Sequence, residues 1–520
     1  MYVACIQLKA NSIFEYQDAY ENILSMTEEA GKAGAQLAVL PECAYPAYFL
    51  GLDMDKARSA IALCDELTGK LKSLALQYKM HIVMGIVTER KGNWYNSAVM
   101  IDDSGSIVQC ADKSNLWHFD SQWFSTTEHF EVFRTRYGAM GMMVCADGRV
   151  PEISRILSIA GARLIIDPVN LVAAAEEPKL FTNAQYQFML PVRAAENGIW
   201  MLVADKVGLE AGCVNYLGRS MVIDPNGKIV ACASPDQQEI IYYEADLSLK
   251  PALKPIERRP ELYGILAEAN DALPVVSDME KPLVMQNCEV FSSSIMYRAS
   301  TPEEYLSKAK HYLFCCGKLG SKLLLLPQYM NDIADITGEL MEHISCDSLV
   351  AVSGRENGIK CAALMSKGKT LGKWYKTHGD RDGEPLSDMQ FHCADTPLGK
   401  IGLLFDAEAY VPEIARAYML LGCNILLWSD SSARELDTKV MQTRASENKI
   451  FVVRNSSAAE DNGSISDTEG RILTSTYRGV EQAASAMIVY PLSLSKTIVP
   501  GTNVVSGRKN RSYLPLTLQH

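Results

Sequence analysis

Of the fourteen cysteines in the chain, only Cys145 has chemical company. It closes the apolar run Met140–Val144, which reads as a strand, and precedes a turn into a helix expected to begin near Pro151. That placement exposes a side chain at the carboxyl end of a strand. Glu42 closes another expected strand, Leu37–Leu40, so its carboxylate can sit at the same sheet edge and in the same cleft. Lys113 lies in the loop Asp112-Lys113-Ser114-Asn115-Leu116. A thiol nucleophile, a carboxylate base and a fixed ammonium are what attack on a poor electrophile, such as an amide or nitrile carbon, requires. Packing between Leu40-Pro41 and Tyr45-Pro46-Ala47-Tyr48-Phe49 is expected to raise the Glu42 carboxyl toward the working pH. A nearby ammonium is expected to stabilise Cys145 as a thiolate.

Alone, each residue has a plainer reading: a turn carboxylate, a solvated lysine, a core cysteine. Together and in order, Leu40-Pro41-Glu42, Asp112-Lys113 and Val144-Cys145-Ala146-Asp147, the last running into Val150-Pro151-Glu152, resemble the nitrilase (carbon-nitrogen hydrolase) superfamily. Arg193-Ala194-Ala195-Glu196-Asn197, Val207-Gly208-Leu209-Glu210 and Arg259-Pro260-Glu261-Leu262-Tyr263 are similar to its flanking text, so the likeness spans the first half. The resemblance implies an acyl-enzyme on Cys145, with Glu42 as general base. Lys113 would hold the oxyanion, with the backbone N–H of Ala146 as a second donor, and no metal or organic cofactor would be needed. Relatives often carry a further catalytic Glu before an aromatic pair. Here Asp120 stands there, either as a supporting carboxylate one methylene short or as a surface cap of a turn. Tyr45, Tyr48, Phe49, Val169 and Asn170 are candidates for the pocket wall, while Asp205-Lys206 departs from the family's usual Asn-Arg without an evident reason. Arg149 and Glu152 are expected to brace the turn after Cys145 as a buried pair. Cys145-Ala146-Asp147 matches amidase and carbamoyl-hydrolase relatives, whereas nitrile-cleaving ones usually show Trp-Glu. Hydrolysis of a small amide or N-carbamoyl compound therefore leads, nitrile hydrolysis is the alternative, and an acyltransferase or a non-catalytic scaffold comes after them.

The elements that must position these residues occur twice. Strand Tyr2–Leu8, a helix from about Phe14 to Ala33 and strand Leu37–Leu40 return as Leu283–Gln286, a helix from about Thr301 to Lys318 and Leu323–Leu326. Gly138–Arg155 aligns without a gap on Gly399–Arg416, and Arg193–Asn197 matches Arg444–Asn448. In the second copy Gln328 replaces the base, Lys376 keeps the lysine and Asp406 replaces the nucleophile. A glutamine is no base near neutral pH and a carboxylate is a weak nucleophile toward amides, so this copy is expected to be inactive. The expected organisation is a catalytic domain over residues 1–265, a linker over 266–281 and a degenerate domain over 282–520. The halves meet in a Pro-rich and charged stretch from Asp246 to about Lys281 that reads as an extended connector. The resemblance implies two tandem four-layer α-β-β-α sandwiches packed as an intrachain pseudo-dimer.

At 520 residues the chain suits two domains of ordinary size, and 48% hydrophobic with 22% charged residues is globular composition. A net charge of −12, with no basic run, argues against nucleic acid. No segment approaches about 18 continuous apolar residues, and the start lacks a basic, cleavable leader, so no membrane and a cytoplasmic location are expected. No Cys/His set has metal-ligand spacing. The lack of a GxxxxGK[ST] loop argues against an ATP-dependent synthetase. Expected partners are a small amide, carbamoyl or nitrile substrate, with a homo-oligomer of pseudo-dimeric chains left open.

Overall fold

The computed structural model describes residues 1–173, 177, 180, 182–252, 255–281, 288–379 and 383–519. They form two compact units, one of Met1–Pro255 with Val499–Thr502, the other of Ile256–Ile498 with Asn503–His520. Among the described residues no helix is long and apolar enough to cross a membrane.

Unit 1 is a four-layer α-β-β-α sandwich. Its larger sheet runs β12 (Val214–Leu217), β11 (Lys206–Glu210), β1 (Tyr2–Lys9), β2 (Leu37–Val39), β3 (His81–Arg90), β4 (Asn93–Ile101), β5 (Ile107–Asp112). β15 (Glu239–Glu244) pairs with β1, and β6 (Phe124–Ser125) with β4. The second sheet runs β14 (Ile229–Cys232), β13 (Met221–Ile223), β10 (Trp200–Ala204), β9 (Leu164–Pro168), β8 (Gly138–Met142), β7 (Val132–Thr135). The period of two along β1 divides the cores: Val3 and Cys5 join the core shared with the second sheet, while Ala4, Ile6 and Leu8 face the helical layer. There α1 (Tyr16–Lys32) buries Ala19, Ile23, Met26 and Ala30 at helical spacing, beside Leu67, Leu71 and Ala75 of α3 (Cys64–Tyr78). α2 (Met54–Ile61) precedes α3; α4 (Pro151–Ile159) and α5 (Leu190–Asn197) cover the second sheet. β9 and β10 are buried on both faces, and accordingly β10 reads as an unbroken apolar run and β9 as one interrupted only by Asp167.

Unit 2 repeats this plan. One sheet orders Lys369–Tyr375, Ile359–Ser366, Leu349–Glu356, Leu323–Leu325, Glu289–Met296 and Gln482–Val489. The other orders Ala394–Thr396, Gly399–Phe405, Ile425–Asp430, Phe451–Ser456, Ser464–Ser466 and Ile472–Ser475. The hairpin β11–β12 has no counterpart among the described residues, since Phe451–Ser456 reaches Ser464–Ser466 through a short loop.

Two expectations about organisation change. The strand assigned to Leu283–Gln286 lies outside the described residues, and the strand parallel to Leu323–Leu325 is Glu289–Met296. Its run Ser292-Ser293-Ser294 hides it from hydropathy, yet all three are buried, with hydroxyls bonded to Leu323 O, to Ser321 and Ser485, and to Arg454 O. The segment read as the end of the first domain plus an extended linker belongs to unit 2 from Ile256 onward. It is short-helical, with turns Pro260–Leu262, Gly264–Ala267 and Asn270–Ala272 and a helix Pro274–Met279. Pro260 and Pro274 start helical turns, where a missing N–H costs nothing. The charged residues are anchors rather than solvated spacers: Arg258 pairs with Glu413 at 3.0 Å, Arg259 donates to Thr377 O and Ser387 O, and Asp278 pairs with Lys400 at 2.7 Å.

Candidate active site

Glu42 follows β2 and crosses over β3 at Gly85, where a Cβ would lie 2.1 Å from Pro41 O and 2.6 Å from the Glu42 Cα. The glycine is therefore what lets the Pro41-Glu42 backbone lie directly on the sheet. Lys113 leaves β5 with its N–H on Asn96 O of β4 at 2.8 Å. Its ammonium lies 2.7 Å from Glu42 Oε1 and 2.7 Å from Asp120 Oδ2, and all three side chains are fully buried. Asp120 is thus no surface carboxylate, although it also caps its turn by accepting the Trp117 N–H at 3.0 Å.

Cys145 sits at the first position of a tight turn after β8, with φ of +52°, in the left-handed region that ordinary residues avoid. Such strain costs on the order of 1–3 kcal/mol and persists only where surroundings impose it. Here Cys145 N–H donates to Asp167 Oδ1 at 2.7 Å and Gln185 Nε2 donates to Cys145 O at 2.8 Å. Ala146 is buried immediately behind it, and the thiol points to Asn170 O at 3.8 Å. Asp147 ties this turn to the lysine loop by accepting from Val144 N, Ser114 Oγ and Asn115 N. The Arg149 guanidinium lies 5.2 Å from the centroid of the Trp117 ring.

Burial pushes the Glu42 carboxyl up, with Asp120 adding to the effect and Lys113 opposing it. Burial also pushes the Cys145 thiol well up, reinforced by Glu42 and countered by Lys113. Burial works against charge on Lys113 too, yet Asp120 and Glu42 hold its ammonium well above the usual lysine range. These directions change one expectation. Lys113 is satisfied by two carboxylates, and burial with Glu42 nearby favours the neutral Cys145 thiol over the thiolate. Lys113 Nζ and Asn96 Nδ2, at 2.7 and 2.6 Å, both donate to Glu42 Oε1. That leaves Oε2 without a donor of its own, and the Cys145 thiol interacts with the same carboxylate.

The structure brings together most of the expected wall. Tyr48 presents its ring 5.3 Å from Lys113 Nζ, and Phe49 packs on Phe119 and Trp123. Val169 O accepts from Glu42 N at 3.4 Å, and Asn170 Nδ2 donates to Glu42 O at 3.0 Å. Tyr45 is different: its hydroxyl bonds Ala60 O in α2 and its ring meets Tyr20, which places it in the core behind the loop. Asp205-Lys206 acquires a role. Asp205 Oδ1 accepts the N–H of Leu171, next to Asn170, while Lys206 pairs with Glu210. Glu210 Oε1 in turn accepts the N–H groups of Tyr48 and Phe49 at 2.8 and 2.6 Å. Sequence reasoning missed Asn96, Asp167, Gln185 and Glu210, which act on the backbone or the base from distant elements. Only Glu210 lay in text already noted as familial.

In unit 2, Leu326 N–H bonds Ala351 O as Leu40 N–H bonds Val83 O, so Gln328 occupies the place of Glu42. Asp406 repeats the strained turn at φ +46°. Its carboxylate accepts from Lys360 Nζ at 2.7 Å, Lys376 Nζ at 3.1 Å and Ser431 Oγ at 2.7 Å, and Lys376 also holds Glu384 at 2.8 Å. Lys360 stands where unit 1 has Asn96, since Lys376 N–H bonds Lys360 O as Lys113 N–H bonds Asn96 O. Burial alone would raise the Asp406 carboxyl, but the two lysines hold it well below the usual range. Asp430, Asp437 and Asp461, the described carboxylates close enough to share a cation, surround the Arg454 guanidinium, which already serves as their counter-ion.

Comparison with known proteins bears on the whole arrangement. A family model described as carbon-nitrogen hydrolase matches residues 2–254 and again 337–492. A nitrilase from Pyrococcus abyssi is 30% identical over 253 residues, covering 48% of this chain and 90% of that protein. An omega-amidase from Bos taurus is 26% identical, covering 51% and 98%, and a citrullinase from Francisella tularensis is 27% identical, covering 50% and 96%. Among solved structures, an amidase from Nesterenkonia sp. AN1 is 22% identical with a TM-score of 0.42, covering 47% of this chain and 93% of that one.

Proposed function

The chain belongs to the carbon-nitrogen hydrolase family, and on that premise we propose that its first half hydrolyses a small amide or N-carbamoyl compound through a thioester on Cys145. The observation that carries the reading is the buried Glu42–Lys113–Asp120 chain, with Lys113 Nζ at 2.7 Å from each carboxylate and the Cys145 thiol against Glu42.

Glu42 takes the thiol proton as Sγ attacks the carbonyl carbon. The developing oxyanion is held by Lys113 Nζ and, by the family resemblance, the Ala146 N–H. Collapse breaks the C–N bond, Glu42 returns the proton to the departing nitrogen, and ammonia or an amine leaves. Water then gives a proton to Glu42, attacks the thioester, and releases the acid as the thiol is restored. Asp120 keeps Lys113 charged and oriented through the cycle. Relatives named omega-amidase, citrullinase and N-carbamoylputrescine amidase favour a primary amide or ureido group as the scissile end. Unit 2, with Gln328, Lys376 and Asp406, is catalytically inactive in this reading.

Nitrile hydrolysis is the second reading, favoured by the name of the 30% identical relative and opposed by Cys145-Ala146-Asp147. A panel of primary amides, N-carbamoyl compounds and nitriles, with ammonia release and the mass at Cys145 followed, separates the two. Turnover of amides or ureas that disappears in Cys145→Ala is expected. Consumption of nitriles alone replaces the leading reading, and turnover that survives in Cys145→Ala refutes the mechanism.

A further inference from the structure

The loop that presents Asp120 is pinned by residues from the far end of the chain. Val499–Thr502 belongs to unit 1, where the Thr502 hydroxyl donates to Leu116 O at 3.1 Å and accepts the His118 N–H at 2.9 Å. One hydroxyl thus bridges both peptide groups that flank Trp117. His118 is held at φ +50°, a conformation the loop must be paid to keep. Gly501, at φ +84°, passes so close that a Cβ would meet His118 O at 2.8 Å, so the contact is backbone against backbone.

The carbonyl that Thr502 holds belongs to the same peptide group as the Trp117 N–H. That N–H donates to Asp120 Oδ2, the oxygen that also binds Lys113 Nζ. Because a peptide group is planar, fixing its C=O direction fixes where its N–H points. A hydrogen bond at the carbonyl also polarises the N–H into a better donor. We propose that Gly501 and Thr502 form a positioning strap for the catalytic loop, which aims Asp120 at Lys113 through the Leu116–Trp117 peptide. The second half of the sequence thereby contributes to chemistry in the first, although its own counterpart of the site has lost base and nucleophile. Thr502 touches no reacting atom and is a positioning residue.

The proposal rests on the acyl-enzyme reading, and its test uses a substrate that keeps the two separable. In the full-length chain, p-nitrophenyl acetate acylates a reactive thiol in one turnover, read as nitrophenolate release and acetyl mass at the Cys145 peptide. Thr502→Val, similar in shape but without hydrogen bonding, should slow this step about 3- to 10-fold, as expected for loss of such bonds. Thr502→Ser should restore it. In an Asp120→Asn background the Thr502→Val penalty should vanish, because the two lie on one path. A Thr502→Val rate equal to wild type, or the same loss in both backgrounds, overturns the strap. Absence of amide turnover in the wild type overturns the amidase assignment and leaves this measurement intact.

Discussion

Replacing Asn96 by Leu removes one of the two donors to Glu42 Oε1 while nearly preserving side-chain volume. The bond is 2.6 Å long and fully buried, so no water takes over the role. A hydrogen bond to a charged group is worth about 1.5–3 kcal/mol, and about 1.4 kcal/mol corresponds to one pH unit. The lost donor stabilised the carboxylate, so its loss raises the Glu42 carboxyl further, and the base becomes available only at higher pH. The acid limb of the kcat/KM profile, which reports the free enzyme, is expected to move up by about one to two pH units. Activity at pH 6 should fall about tenfold or more on the same arithmetic, while the alkaline side recovers. The assay is initial-rate ammonia release from a cleaved amide between pH 5 and 9, with unfolding monitored in parallel. An unshifted acid limb in a folded variant refutes the assignment of Oε1 as the anchored oxygen. So does a uniform loss at every pH.

Gly85→Ala would drive a methyl group into Pro41 O and the Glu42 backbone, and a misplacement of about 1 Å at a reacting group costs on the order of a hundredfold in rate. That loss should appear in kcat/KM for the cleaved amide while the unfolding midpoint falls far less than activity does. Asp406→Asn in unit 2 leaves Lys360 and Lys376 sharing a buried site without the carboxylate between them, which is expected to cost about 3–5 kcal/mol in denaturant unfolding. Since Asp406 is held below its ordinary range, the stability it provides is present above the unfolded carboxylate pKa and is lost as pH falls toward the folded one. The difference between wild type and variant should therefore shrink in acid.

Much of this protein was legible before any coordinates. The duplication followed from ordered motifs and the layered α/β plan from alternating strand and helix signals, which are local properties. The four-layer arrangement and the set Glu42, Lys113 and Cys145 came with the family resemblance. Glu42 and Cys145 follow strands of two different sheets, β2 and β8, rather than sharing one sheet edge. The second copy's Asp406 was visible through the same ordered motifs. What escaped were features whose cause is remote. The serine-rich strand Glu289–Met296 looks polar until its hydroxyls find buried partners, and the proline-rich stretch after Ile256 looks extended until its arginines find Glu413 and backbone carbonyls.

Sequence by itself determined which residues can attack, accept a proton and hold charge, since those are properties of side-chain type and of position along a strand. Only the tertiary structure decided their protonation and aim. Burial with Glu42 nearby favours the neutral thiol of Cys145, and Asn96 and Lys113 both anchor Glu42 Oε1. Asp167 and Gln185 hold Cys145 in its strained turn, and Thr502 reaches Leu116 across most of the chain. Desolvation and hydrogen-bond direction are set by neighbours in space, and no local pattern encodes them.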